Sequence, residues 1–242
     1  MCIRDSLNFD MITENIKQLR EKIDRKCAEI GRNSKEIRLI AVSKNFSTGH
    51  INSAFENGIA DFGENKAQEL VSKFEVLGNR VTWHFIGHLQ KNKAKFAVRT
   101  SEYIHSVDSL SLMIEINKRA EQISKVQKIL MQVKTSEEET KSGIENENEL
   151  FGITEDSIDL KNVELVGLMT IAPFTDNITE IRNSFGYLRK LRDKLNQKGF
   201  ENIKELSMGM TSDFEIAIEE GSTMLRIGSA IFGQRDYSVN QG

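Results

Sequence analysis

Eight short apolar segments, each followed by a stretch with helical periodicity, limit what this 242-residue chain can become. The strand-like segments are residues 37–42, 60–63, 81–87, 102–107, 128–135, 163–170, 205–208 and 223–227. The first, Ile37-Arg38-Leu39-Ile40-Ala41-Val42, is apolar without clean alternation, as expected of a strand covered on both faces. Repeated strand–helix alternation implies parallel strands joined by helical crossovers. Eight such units in one chain of this length fit an α/β fold, a single (β/α)8 TIM-type barrel. The rival is a doubly wound open sheet, which wants a glycine-rich turn after its first strand. Here that turn reads Ser43-Lys44-Asn45-Phe46-Ser47, without glycine.

An extra helix precedes the first strand. Ile12, Ile16, Leu19, Ile23, Cys27 and Ile30 draw one apolar stripe at steps of three and four, and Gly31 follows as its stop. Further on, the segment from Thr48 to Asn57 stops at Gly58, and Asp108 or Ser109 caps a helix running to about Lys125. Asn177 and Glu180 stand at capping-box spacing before a helix closed by Gly199. Ser212 and Glu215 form a second such box, with Gly221 as the stop. Residues Met1–Ser6 join no pattern and are set aside as a leader, non-native or disordered; the single domain is expected over residues 7–237, with a tail at 238–242.

With 33 basic and 36 acidic residues the net charge is −3, so no positive field exists to draw in nucleic-acid phosphates. No stretch approaches the roughly 20 apolar residues that span a bilayer, and the N-terminus lacks the apolar run of a secretory signal. Cys2 and Cys27 are too few for a disulfide framework and fit free thiols in a reducing cytosol. The expectation is a cytoplasmic protein with neither nucleic-acid nor membrane partners.

In such a barrel, chemistry gathers where the strands end. Lys44 ends the first strand, where partial desolvation would lower its pKa and leave an amine able to attack a carbonyl. Position alone leaves a solvated strand-end lysine open. Lys134 ends the fifth strand in the same way, but Glu137, Glu138 and Glu139 would keep it charged, and that acidic run with Lys141 reads as a solvated loop. Barrels often bind phosphate between the loops after strands seven and eight. Those loops read Ser207-Met208-Gly209-Met210-Thr211 and Gly228-Ser229-Ala230, small residues that let a ligand approach the backbone or that serve only tight turns. Arg226 lies inside the apolar eighth strand and needs an acceptor, either a carboxylate at the rim or a ligand atom. His50, His84, His88 and His105 have no metal-ligand spacing and read as ordinary hydrogen-bonded histidines.

A strand-one lysine, a phosphate cradle and a strand-eight arginine together suggest pyridoxal phosphate. The segments Ala41-Val42-Ser43-Lys44, Phe62-Gly63-Glu64-Asn65, Trp83-His84-Phe85-Ile86-Gly87-His88-Leu89-Gln90, Lys141-Ser142-Gly143 and Gly167-Leu168-Met169 resemble the pyridoxal phosphate homeostasis protein family, the YggS-like proteins. So do Leu206-Ser207-Met208-Gly209-Met210 and Arg226-Ile227-Gly228-Ser229-Ala230-Ile231-Phe232-Gly233, and the likeness runs from about residue 8 to Tyr237. The resemblance implies a barrel related to the N-terminal half of alanine racemase, with pyridoxal 5'-phosphate in Schiff-base linkage to Lys44. By the same carry-over Ser207, the Met208 backbone, Gly228 and Ser229 hold the phosphate, Arg226 faces the pyridine nitrogen, and Asn65 lies near the ring. It also implies a cytoplasmic role in vitamin B6 and amino-acid balance, without an established reaction. The chain departs from the family pattern at Ser229 (more often Thr), Thr211 (commonly Ser) and Lys134 (usually Asn).

An arginine opposite the ring nitrogen disfavours a second positive charge there, which weakens the ring as an electron sink. The leading expectation is therefore a protein that stores, delivers or buffers pyridoxal phosphate and related vitamers, with negligible turnover and with pyridoxal-phosphate-dependent apo-enzymes as its recipients. A racemase of narrow scope is the alternative, and it needs an acid–base group on each face of Cα. Tyr103, Tyr187 and Tyr237 offer no obvious second one. A cofactor-free Schiff-base aldolase is weaker still, because strand six ends in Met169-Thr170 without a lysine. Without the racemase's second domain, the chain is expected to be a monomer.

Overall fold

A computed structural model describes residues 3–136 and 142–233, with side chains from Asp10 onward. Its eight strands are β1 (Arg38–Val42), β2 (Asp61–Glu64), β3 (Thr82–Phe85), β4 (Tyr103–Val107), β5 (Gln127–Gln132), β6 (Val163–Met169), β7 (Glu205–Ser207) and β8 (Met224–Ile227). They close into a parallel barrel in chain order, β8 pairing β1 with Ile40 opposite Arg226. The helices are α1 (Ile3–Glu29), α2 (Thr48–Glu56), α3 (Ala67–Leu77), α4 (Ala94–Thr100), α5 (Leu110–Glu121), α6 (Glu147–Asp156), α7 (Ile178–Gln197), α8 (Phe214–Glu219) and α9 (Ser229–Phe232). Both the barrel and the extra N-terminal helix are as the alternation and the apolar stripe predict, and the open-sheet rival is excluded by the closure.

Two cores hold this up. The larger lies between strands and helices and takes in Phe62, Trp83, Ile104, Leu112, Phe185 and Leu225, all at most 2% exposed. Each such side chain contributes about 1.5–3 kcal/mol when fully buried. The smaller fills the barrel axis with Ile40, Tyr103, Leu130, Met169 and Met224. The stripe of α1 is buried from Ile12 to Cys27, whereas Ile30, past the helix end, is 42% exposed. This helix packs on α2, α8 and α9 and covers the seam where the last strand meets the first. An Asn15 amide donates to the Ile231 carbonyl at 3.0 Å and ties it there.

Local signals account for most element ends. Ser109 accepts from the Leu112 N–H and starts α5. Asn177 accepts from the Thr179 and Glu180 N–H groups and starts α7; its side-chain amide donates to Glu180, but its own N–H goes to Thr175 Oγ1, so the expected capping box is not reciprocal. Three further expectations need correction. α1 extends back to Ile3, so residues 3–6 continue a helix. α5 stops at Glu121 rather than near Lys125, because Ser124 turns to φ +54° and the Lys125 N–H returns to the Ala120 carbonyl. Ser212 does not cap α8: Asp213 precedes the helix and accepts the Met210 N–H at 2.6 Å, folding the β7–α8 loop back on itself. Cys2, Glu137, Glu138, Glu139, Lys141, Tyr237 and the tail at 238–242 lie outside the described residues.

Candidate functional site

A cavity of about 740 Å³ opens at the C-terminal ends of the strands. Val42, Phe46, Ile86, Ile171 and Met210 give it apolar walls; Lys44, Asn65, Thr211, Ser212, Arg226 and Ser229 add polar groups, with Gly228 and Gly233 between. A concave, mostly apolar space of this size with a few convergent polar groups is the usual form of a small-molecule site. Five of the seven expected site residues meet there: Lys44, Asn65, Arg226, Gly228 and Ser229.

Ser207 and Met208 do not line it. Ser207 ends β7 fully buried, and its hydroxyl accepts from an Arg226 guanidinium nitrogen at 2.7 Å and faces His105 Nδ1 at 2.8 Å. The Met208 N–H donates to the Met224 carbonyl, and the Met208 carbonyl accepts the Ser222 hydroxyl. Their polar groups are committed to the scaffold. The β7–α8 loop instead offers Thr211 and Ser212 to the cavity. The Ser229 hydroxyl donates to Thr211 Oγ1 at 3.1 Å, so two hydroxyls from separate loops form one polar wall.

Lys44 is held by its neighbours in the chain. Val42 points into the cavity and Ser43 outward, so the strand alternation turns residue 44 back inward. Behind the strand, the Lys73 ammonium of α3 donates to the Ser43 carbonyl at 2.7 Å, to Glu64 at 2.7 Å and to Glu69 at 2.8 Å. Glu64 also accepts the Ser43 hydroxyl at 2.6 Å, and Glu69 accepts the Asn45 N–H at 2.6 Å. Asn45 is in the left-handed region at φ +66°, which the short polar side chain tolerates. The Glu64 carboxyl is pushed above its ordinary value by burial, opposed by Lys73 and by the hydrogen bonds from Lys73 and Ser43. The sequence reading gives Glu64 only as part of the β2 exit and assigns no role to Glu69 or Lys73; the fold brings the three together behind the β1 end.

Asn65 sits just past β2, pressed from above by Gly87. A Cβ at position 87 would stand 2.2 Å from the Asn65 carbonyl oxygen, so only glycine allows this approach. Asn65 Oδ1 is buried without a hydrogen-bond partner. An orphaned acceptor on a cavity wall marks a place for a donor. Arg226 is 5% exposed; beyond Ser207 it donates to the Thr170 carbonyl at 2.8 Å. Burial pushes its guanidinium down to about 10, against the pull of Asp213.

Lys134 faces a smaller cavity of about 240 Å³ that shares Asn65, Ile86 and Ile171 with the larger one. Its ammonium donates to Glu145 at 3.2 Å, so this carboxylate holds it. The acidic run expected to do so lies outside the described residues. Tyr103 is inside the barrel, stacked on His84 with ring centroids 4.7 Å apart, and Tyr187 lies on the outer helix α7. Neither lines the cavity. No helix among the described residues is long and apolar enough to cross a membrane.

Comparison with known proteins points one way. The family model of the alanine racemase N-terminal domain matches residues 7–236. A pyridoxal phosphate homeostasis protein of Aquifex aeolicus is 41% identical over 227 residues, covering 93% of this chain and 98% of the relative. Among solved structures, an unknown protein from Bifidobacterium adolescentis superposes with a TM-score of 0.88 at 34% identity, covering 93% of this chain and 96% of its own. PipY of Synechococcus elongatus, solved with pyridoxal phosphate bound, superposes with a TM-score of 0.81 at 34% identity, covering 92% of this chain and all of its own.

Proposed function

The chain belongs to the pyridoxal phosphate homeostasis protein family, with the barrel of the alanine racemase N-terminal domain, and from that premise we propose that it carries pyridoxal 5'-phosphate on Lys44 and serves intracellular vitamin B6 balance with negligible turnover. The observation that carries the reading is the convergence of Lys44, Asn65 Oδ1, the Arg226 guanidinium and the Thr211–Ser229 hydroxyl pair on one cavity. Those groups fit the cofactor: an amine, an unfilled acceptor, a fixed cation and a wall of hydroxyls with two glycines. When bound, pyridoxal phosphate supplies an aldehyde that condenses with an amine and a ring that can withdraw electrons.

The chain's own residues decide how far that chemistry goes. The ion cluster behind Ser43 fixes the strand end, so the Lys44 amine is presented to the cavity without a search of backbone conformations. Gly228 and Ser229, with Thr211, take the phosphate; Ser207 and Met208 stand behind them and hold Arg226 and β8 in place. The buried Arg226 cation keeps a proton off a ring nitrogen placed beside it, because a second positive charge there is unfavourable. Racemisation needs an acid–base group opposite the lysine. The described tyrosines lie away from the cavity, so carriage rather than turnover is favoured. Related vitamers bind the same cavity, and pyridoxal-phosphate-dependent apo-enzymes in the cytoplasm receive the cofactor from a monomer.

The absorption spectrum before and after borohydride tests this. The protein is expected to be yellow, or to become so with added vitamer, and reduction is expected to fix the pyridoxyl group on Lys44 by peptide mapping. A protein that stays colourless with excess vitamer, or a label found mainly on Lys134, overturns the assignment.

A further inference from the structure

Arg226 presents a problem that the cofactor alone does not solve. It is a buried cation whose two hydrogen-bond acceptors, the Ser207 hydroxyl and the Thr170 carbonyl, are both neutral. Buried charges are ordinarily paired, and here the Asp213 carboxylate acts on the guanidinium by its charge without being one of these two acceptors. From Ser207, however, a continuous line of hydrogen bonds crosses the barrel interior. His105 Nδ1 lies 2.8 Å from the Ser207 hydroxyl, His105 Nε2 lies 2.9 Å from His84 Nδ1, and His84 Nε2 lies 2.8 Å from Asp61 Oδ1. Asp61 begins β2 at the opposite mouth, beside Arg38 at 3.4 Å. His84, His105 and Ser207 are fully buried, and the Tyr103 ring walls the line by stacking on His84.

With both rings neutral, the two ends fix the direction of every proton between them. A guanidinium only donates and a carboxylate only accepts. Ser207 therefore accepts from Arg226 and passes its own proton to His105 Nδ1. His105 donates through Nε2 to His84 Nδ1, and His84 donates through Nε2 to Asp61. Both neutral rings are then protonated on Nε2. Their burial agrees: it lowers His84, and it holds His105 well below the ordinary value, with His84, Arg226 and Arg38 acting in the same direction. The groups facing the line are Arg38 on β1, Asp61 on β2, Glu102 before β4, Tyr103 on β4 and Arg226 on β8, with Asp213 before α8 acting on Arg226. Hydrogen bonds in such a line polarise one another, so a change at one end is felt at the other.

We propose that Asp61 is a second, remote counter-ion of Arg226 beside Asp213, and that His84, His105 and Ser207 form a one-directional relay which positions the guanidinium and sets the potential at the ring-nitrogen side of the cavity. They are positioning residues; the sequence reading of His84 and His105 as ordinary hydrogen-bonded histidines gives the bonding but not this connection. The effect on the bound vitamer rests on the function proposed above; the proton pattern does not.

The proton pattern is read first, on the unsubstituted protein without added vitamer, by ring nitrogen–proton correlation spectra of 15N-labelled chain. Loss of a signal in His84→Gln and in His105→Gln assigns each ring. Both rings are expected as neutral Nε2–H tautomers from about pH 7.5 to about pH 5.5. An Nδ1–H tautomer at either ring, or titration near the ordinary histidine value, overturns the relay. The second arm follows the visible absorption of the vitamer-loaded protein against pH. Asp61→Asn is expected to lower the pH at which that absorption is lost by about half a unit, because removal of a negative charge disfavours bound protons. Glu102→Gln removes a charge at the same mouth outside the relay and is expected to shift it less. Equal shifts would mean simple through-space charge, and no shift in Asp61→Asn would mean no linkage; either defeats the proposal. An unsubstituted protein that takes up no vitamer would defeat the function instead and leave the tautomer result standing.

Discussion

The two mouths of the barrel are built from the same strands and treat charge in opposite ways. At the N-terminal mouth Arg38 pairs with Asp61, Lys128 with Glu102 at 2.8 Å, and the Lys125 ammonium donates to the Val98 and Ser101 carbonyls. Arg38 and Lys128 also lie over the Tyr103 ring at 5.0 and 5.3 Å. At the C-terminal mouth Asn65 Oδ1 is left without a partner, and Arg226 donates its hydrogen bonds to neutral oxygens, with Asp213 acting on it by charge. Apart from Gln127 Oε1, buried without a partner where β5 begins, the first end commits its polar groups to itself; the second leaves an acceptor and a cation on the cavity. In a barrel whose sites gather at the C-terminal face, that contrast separates residues kept for stability from residues kept for a ligand.

The sharpest way to break the contrast is to remove a ligand group. Lys44→Ala is expected to abolish borohydride-fixable labelling, with little change in the urea midpoint, since the side chain is partly exposed on a cavity wall. A large loss of stability would move Lys44 into the scaffold class. Lys73→Met should do the reverse. It leaves the Glu64 carboxylate, 0% exposed, without its cation, a situation that costs about 3–5 kcal/mol. Urea unfolding would read this, and adding Glu64→Leu should restore most of it; a double variant no more stable than the single one would show that the cluster is not an ion pair in energetic terms.

Next in size is an acid dependence from the relay histidines. Burial keeps both neutral in the fold, whereas the unfolded chain protonates them from about pH 6.5 downward. The stability they permit is complete above that pH and is lost as pH falls below it. The slope is at most about 1.4 kcal/mol per pH unit for each ring. Urea unfolding between about pH 6.5 and pH 5, above the ordinary carboxylate range, reads it, compared with the same series in Glu64→Gln because the buried Glu64 carboxyl is itself raised. A flat profile would mean that the rings are already protonated in the fold.

The barrel was legible because its signals are local and repeated: apolar strands, helical stripes and stops such as Gly31, Gly58 and Gly199, all at positive φ. Lys44, Asn65, Arg226, Gly228 and Ser229 were legible because strand exits in a parallel barrel share one face. Ser207 and Met208 were misplaced by one step of the same logic. The β7 exit was read as a loop offering backbone to a ligand, but β7 ends at Ser207 and both residues remain within hydrogen-bonding reach of the sheet. The relay was invisible for a different reason. His84 and His105 are 21 positions apart and Ser207 another 102, and no local period connects them. Such sets exist only after closure, when β3, β4, β7 and β8 turn their side chains to one axis.

The smallest effect tests whether the lower mouth is held by its exposed pairs at all. Lys128 and Glu102 form a close ion pair, but their side chains are 35% and 46% exposed. Water and salt screen such a pair, and it is worth only about 0.2–1 kcal/mol. A double-variant cycle with Lys128→Met and Glu102→Gln should therefore give a coupling in that range, shrinking in high salt. The Glu102 carboxyl is held below its ordinary value chiefly by its hydrogen bond to Lys128, so the coupling is present above the unfolded carboxylate pKa and fades as pH falls through the lowered one. A coupling well above that range would mean that the mouth is closed tightly enough to desolvate the pair. Asp61 would then face a low-dielectric surround rather than water, and its charge would reach Arg226 with less screening than the exposed rim allows.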